Sequence, residues 1–261
     1  MNITINDLQK ADNFATLFQH IKLFSENINI NFEKGRMYLQ SMDSSRVSIF
    51  EINIQSKWFD IYSHESPTNI CIGINSVMLF KILNTRDKSQ TINIIYTADA
   101  DKLIVNFTSE TKQIFDKHFE IPLMEIDADL MEIPAMETAA EIVLSSVNFA
   151  NIINQLKLFG ETLEIECCEE KILLNSSSID SGKMSVEIKI DDVDTYAINE
   201  GSNLKLSYSI GYLHNICMYS KIAKTIEIYL VENYPLKIVY NLDDSAKITY
   251  YLAPKISDDD E

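Results

Sequence analysis

Few side chains in this 261-residue chain are placed to do chemistry. The four histidines, His20, His64, His118 and His214, have no spacing that would bring two imidazoles to one metal, and none stands in a His-Glu-x-x-His run. The pairs Asp99/Asp101 and Asp127/Asp129 could bind a cation or share a proton, but each reads more simply as a turn or connector exposing charge. Cys71, Cys167, Cys168 and Cys217 lack zinc or redox spacing, and the adjacent Cys167 and Cys168 would point to opposite faces of a strand, so reduced structural thiols are expected. Six glycines leave no phosphate-cradling loop and no dinucleotide fingerprint. The reading is a protein that is not an enzyme, with no catalytic residue, no metal and no cofactor.

Charge carries more information than any of these residues. A formal charge of −17 argues at first sight against nucleic acid, because phosphate binding needs positive potential. The acids are not evenly spread, however. Asn13 to Phe24, Ser76 to Arg86, Asn148 to Phe159 and Lys205 to Lys224 together hold 55 residues and no Asp or Glu, where an even spread would place about eight. The same windows hold Lys22, Lys81, Arg86, Lys157, Lys205, Lys221 and Lys224. Low charge alone would follow from burial, but a one-sided loss of acids around positions expected to be exposed, such as Thr16, Gln19, Asn151 and Asn154, points to an anionic partner. Without an arginine cluster for reading base edges, contact with nucleic acid would be to phosphates and independent of sequence.

The elements that must position these residues come in two copies. Phe14, Leu17, Phe18, Ile21 and Phe24 form one apolar stripe at helical spacing, and Phe149, Ile152, Ile153, Leu156 and Phe159 repeat it in phase 135 positions later. Asp12 is placed to cap the first of these helices. Phe50, Ile52 and Ile54 alternate with Glu51 and Asn53 as in a half-buried strand. Further strands are expected near Thr91 to Tyr96, Leu103 to Phe107, Gln113 to Glu120, Thr162 to Cys168, Lys171 to Ser176 and Lys183 to Ile190, with helices at Ser76 to Asn84 and near Ile210 to Tyr219. The echo continues in Thr91-Ile92-Asn93-Ile94 against Thr225-Ile226-Glu227-Ile228, so an internal duplication covers nearly the whole chain. Between the copies, Pro122 to Pro134 is acidic, bounded by prolines and without period, which reads as a connector. The expected organisation is a domain over 1–121, a connector over 122–134, a second domain over 135–256 and a solvated acidic tail over 257–261. The opening residues resemble no leader and no apolar run approaches a membrane span, so a soluble intracellular protein with no membrane partner is expected.

Leu39-Gln40-Ser41-Met42-Asp43-Ser44-Ser45-Arg46-Val47-Ser48, with Gly35 and Phe59-Asp60-Ile61-Tyr62 around it, and Tyr250-Tyr251-Leu252-Ala253-Pro254-Lys255-Ile256 followed by acids, resemble the proliferating cell nuclear antigen family of eukaryotic and viral DNA sliding clamps. The resemblance spans essentially the full length. It implies an α+β fold with two similar clamp domains per chain, the helices lining a central hole and the β-sheets outside, in a pseudo-six-fold ring when trimeric. The subunit edges would be the strands near Gln113 to Glu120 and Asp180 to Ile188.

The implied function is a polymerase processivity factor that encircles double-stranded DNA without sequence preference. It would act in DNA replication and DNA repair as a homotrimer, loaded by an ATP-driven clamp loader. Lys22, Lys81, Lys157, Lys221 and Lys224 would face DNA, while Asn151, Asn154 and Met218 stand where basic residues are usual. DNA polymerase and other proteins bearing PIP-type peptides would dock on Met42, Ser44, Arg46, Val47, Met131, Ile133, Pro134, Pro235, Tyr251, Ala253, Pro254 and Ile256. Glu132 and Thr138 depart from the family there, and Cys168-Glu169-Glu170 replaces a loop that often carries a modifiable lysine. The implied location is the nucleus, or a cytoplasmic replication site for a viral protein. The alternatives are a non-encircling processivity subunit and a clamp-derived protein-interaction scaffold.

Overall fold

The computed structural model describes residues 1–255, so Ile256 and the acidic tail lie outside the described residues. Two compact units result. One comprises 1–44, 51–131 and 243–247, and the other 45–50, 132–242 and the chain from 248.

In the first unit the chain runs β1 (Asn2–Ile5), α1 (Leu8–Ile21), β2 (Asn27–Glu33), β3 (Arg36–Met42), β4 (Ser48–Gln55), β5 (Ile61–Ser63), β6 (Ile70–Asn75), α2 (Ser76–Leu83), β7 (Thr91–Ile95), β8 (Lys102–Thr108) and β9 (Lys117–Pro122). Strands β5-β1-β7-β8-β9 form one antiparallel sheet. Strand β2 lies between β3 and β6, with β4 beyond β3. The second unit follows with β10 (Ala140–Ser145), α3 (Ser146–Leu156), β11 (Thr162–Cys167), β12 (Lys171–Ser178), β13 (Gly182–Lys189), β14 (Thr195–Ile198), β15 (Leu204–Ser209), α4 (Ile210–Ile216), β16 (Thr225–Leu230), β17 (Leu236–Asp243) and β18 (Ala246–Leu252). Here β14-β10-β16-β17-β18 repeats the order β5-β1-β7-β8-β9, and β15-β11-β12-β13 repeats β6-β2-β3-β4. The duplication seen in the residues is thus a duplication of strand order.

Each helix is amphipathic for the reason its spacing gives. Phe14, Leu17, Phe18, Ile21 and Phe24 are all buried, as are Phe149, Ile153 and Leu156, while Ile152 and Phe159 are half-buried. Asp7, not Asp12, caps α1: its carboxylate accepts from the Lys10 amide at 2.8 Å, and Leu8-Gln9-Lys10-Ala11 already continue the helix. Either aspartate satisfies the capping chemistry, and the earlier one takes the position because no breaker separates it from the stripe. Asn75 and Ser145 cap α2 and α3 in the same way. The last helix is shorter than expected, α4 passing into a 3₁₀ turn over Cys217–Lys221.

The strand expected from Gln113 starts only at Lys117, because Gln113 has φ of 71° in the left-handed region and belongs to a turn. Past Pro122 the connector makes one isolated bridge, Met124 to Gly73, the Met124 amide donating to the Gly73 carbonyl at 2.9 Å. A Cβ on Gly73 would lie 2.2 Å from the Met124 carbonyl oxygen, so only glycine allows this approach.

Candidate functional site

In the first unit, Lys22 is the C-cap residue of α1, where a cation complements the negative end of the helix dipole. Its Nζ lies 3.9 Å from the centroid of the Phe80 ring in α2, which fixes the ammonium between the two helices. Lys81 in α2 is exposed, as is Gln19 in α1. Thr16 is half-buried, its hydroxyl donating to the Asp12 carbonyl at 2.9 Å. His20, next but one to Lys22, is only 2% exposed and belongs to the core side of α1.

In the second unit, Lys157 is the C-cap of α3, Lys221 closes the 3₁₀ turn after α4, and Lys224 follows it; all three are exposed. Asn151 and Asn154 share the open face of α3, and the Asn154 side-chain oxygen lies 2.7 Å from His214 Nδ1. Burial, and then the charge of Lys157, holds the His214 imidazole below its ordinary pKa, so the face stays uncharged there at neutral pH. Two of the seven basic residues counted in the acid-free windows do not belong to these faces. Arg86 is almost fully buried against Asp12, and Lys205 lies on β15, bridging Glu164 at 3.0 Å and Glu166 at 3.3 Å. The five lysines that remain are those expected to face DNA. Asp12 is the only acid within the four helices, and Arg86 neutralises it.

The residues expected to receive partner peptides fall in both units. In the first, Met42 is half-buried, Ser44 is exposed, and Met131 is held by the Gln40 side chain, which donates to its carbonyl at 3.0 Å and accepts from its amide at 2.7 Å. Gln40 was legible only as part of a motif; its reciprocal hold on the connector is a structural finding. In the second unit, Arg46 takes φ of 58° in an exposed turn, and the Val47 carbonyl accepts from the Ala253 amide at 2.9 Å. Ile133, Pro235, Tyr251, Ala253 and Pro254 are half-buried and Pro134 is exposed.

Strand β9 ends one sheet and β13 ends another, so each has one unpaired side. The two hold different places in the repeat, β9 matching β18 and β13 matching β4. Phe115, 81% exposed, and Ile179, fully exposed, precede them. Among the described residues no group of three or more His, Cys, Asp or Glu could hold a metal, and no helix is long and apolar enough to cross a membrane.

Comparison with known proteins agrees with this arrangement. Residues 5–131 match the N-terminal domain of proliferating cell nuclear antigen, and residues 132–255 match its C-terminal domain. Proliferating cell nuclear antigen of Chaetomium thermophilum is 28% identical over 260 residues, 97% of this chain and 98% of that protein. Proliferating cell nuclear antigen 2 of Drosophila melanogaster is 28% identical over 231 residues, 88% of this chain and 89% of that one. With both of its halves matched in order and the strand order duplicated between them, the chain belongs to the proliferating cell nuclear antigen family of DNA sliding clamps, processivity factors that are not enzymes.

Proposed function

We propose that this clamp holds duplex DNA through Lys22, Lys81, Lys157, Lys221 and Lys224, set among neutral side chains. The observation that carries the reading is the near absence of acid from the four helices in a chain of charge −17. Five separated lysines attract phosphates without fixing them, which suits a protein that must slide, since each firm phosphate contact adds to affinity and to its salt dependence. The open edges of β9 and β13 support a head-to-tail homotrimer, because a closed heterologous ring needs two different surfaces on each copy.

DNA polymerase and other proteins bearing PIP-type peptides would dock on Met42, Ser44, Arg46, Val47, Met131, Ile133, Pro134, Pro235, Tyr251, Ala253, Pro254 and Ile256, a few apolar anchors supplying most of the energy. The proposed organisation is a domain over 1–121, a connector over 122–134, a domain over 135–256 and a tail over 257–261, with an ATP-driven loader opening the ring. The proposed site of action is nuclear, or a cytoplasmic replication site if the gene is viral.

Light scattering should give the mass of a trimer. Loaded protein should stay on closed circular DNA and be lost once the circle is cut. Equal loss from both would mean a subunit that binds DNA without encircling it.

A further inference from the structure

A row of polar side chains crosses the first sheet on the face opposite its buried Ile92, Ile94, Val105 and Phe107. Thr4 in β1, Asn93 in β7, Asn106 in β8 and His118 in β9 stand in register as cross-strand neighbours. The Asn93 amide nitrogen lies 2.8 Å from Asn2 Oδ1, 3.0 Å from Thr4 Oγ1 and 3.3 Å from the Ile3 carbonyl oxygen. The Asn106 amide nitrogen lies 3.2 Å from Asn93 Oδ1, and His118 Nδ1 lies 2.8 Å from Asn106 Oδ1.

The direction of this row follows from its backbone end. A carbonyl oxygen only accepts, so the atom that Asn93 turns toward Ile3 is its amide nitrogen, and its oxygen faces β8. Asn106 must then donate to Asn93 and offer its own oxygen to β9. That oxygen requires a proton on His118 Nδ1, which leaves Nε2 of the neutral ring as a bare acceptor. Protonation leaves the row intact, since Nδ1 goes on donating, and turns Nε2 into a charged donor.

His118 is exposed, and β9 has an unpaired side. The charged groups around it on its own sheet are engaged: Glu120 pairs with Lys102 at 2.7 Å, Asp116 accepts from the Ser109 amide at 3.2 Å, and Lys117 donates to the Thr85 carbonyl. The strand proposed to lie along β9 in the trimer is β13 of the next copy, whose exposed side chains include Lys183, Ser185, Glu187 and Lys189. Two lysines against one glutamate make that edge a poor neighbour for an imidazolium and a good one for a bare accepting nitrogen. Closure also takes the imidazole out of water, which again disfavours its charged form.

We propose that the ring closes on the neutral form of His118, its Nε2 accepting from a lysine on β13 of the next copy, so that acid loosens the trimer through this residue. The proposal rests on the reading that copies join through β9 and β13. The free subunit takes up the proton more readily than the ring does, so association weakens as pH falls.

The test uses the full-length protein, with light scattering giving the concentration at which the trimer dissociates at about pH 8 and at about pH 5.5, either side of the range in which imidazoles titrate. That concentration should rise in acid, each contact weakening by up to about tenfold per pH unit. His118→Gln, which can accept but never takes up a proton, should show a rise at least about threefold smaller. The double variant Lys183→Gln, Lys189→Gln should also blunt it. NMR of nitrogen-labelled histidine at about pH 8 should place the His118 proton on Nδ1, the signal being the one lost in His118→Gln. Parallel dissociation of the unaltered protein and His118→Gln, or a proton found on Nε2, would overturn the proposal and leave the trimer standing. A monomer at every concentration at about pH 8 would remove the trimer reading, and this proposal with it.

Discussion

Asp12 in α1 and Arg86, three residues beyond α2, form an ion pair across 74 positions of sequence. The Arg86 side chain is 3% exposed, and its guanidinium also donates to the carbonyls of Asp87, Lys88 and Gln90. Gln90, fully buried, in turn donates to the Phe115 carbonyl at 2.8 Å. One arginine therefore ties the first helix to the loop that leads into β7. Replacing it by alanine leaves three carbonyls and a carboxylate without their donor, at a cost of about 2–4 kcal/mol. Asp12→Ala should cost only about 1–2 kcal/mol, because that carboxylate is more than a third exposed and its attraction is screened. Urea unfolding measures both, and equal small losses would mean that the loop holds its shape unaided.

The α3–α4 face should respond to acid through His214. Its folded-state pKa lies below the ordinary value of 6.5, burial contributing most and Lys157 next. Above that value the imidazole is neutral in folded and unfolded chains alike and adds no pH dependence. As pH falls through it the unfolded chain takes up the proton first, so this residue's contribution makes the fold less stable. Titration of the imidazole by NMR should show the lowered pKa, and Lys157→Ala should move it back up. An unmoved value in that variant would remove Lys157 as a cause.

Thiol labelling should sort the cysteines by depth. Burial pushes the Cys167 and Cys217 thiols up to about 12, which leaves about one in ten thousand as thiolate at pH 8. Cys71 is exposed, with a thiol raised by partial desolvation. Iodoacetamide should modify Cys71 in the native protein and reach Cys217 only on unfolding. Native modification of Cys217 at the rate of Cys71 would contradict its burial.

Gln40 should govern the connector end. Besides its two bonds to Met131 it donates to Glu51 Oε1 at 3.1 Å, and the same carboxylate oxygen accepts from the Tyr38 hydroxyl at 2.5 Å. Gln40→Leu leaves the Met131 backbone groups unpaired. Stability should fall by about 1–3 kcal/mol, and hydrogen exchange at the Met131 amide should rise about tenfold or more. Affinity for a PIP-type peptide, measured by calorimetry, should fall with it; faster exchange at full affinity would separate Met131 from the peptide site.

Periodicity made the helices legible: the stripe from Phe14 to Phe24 needs only the 3.6-residue turn, and all five side chains are buried. Elements whose shape depends on single backbone angles were not. Gln113 reads as strand by composition, and nothing local announces its left-handed φ. Charge showed which windows lacked acid but not which cations were free. Lys205 faces Glu166 across β11 and β15, and Arg86 finds Asp12 through the packing of α1 on α2, partnerships that span dozens of residues. His20 stands two positions from Lys22 in number, yet the helical turn carries it to the buried side. The lysine faces were therefore readable by subtraction, as what the paired Arg86 and Lys205 leave.

The unequal places of β9 and β13 in the repeat also set a direction. Copies joined through two different edges all point the same way around a closed assembly, so its two sides present different residues. A ring placed on a primer junction would then carry an orientation, and a polymerase arriving from one end of the duplex would meet a different surface from an enzyme arriving from the other.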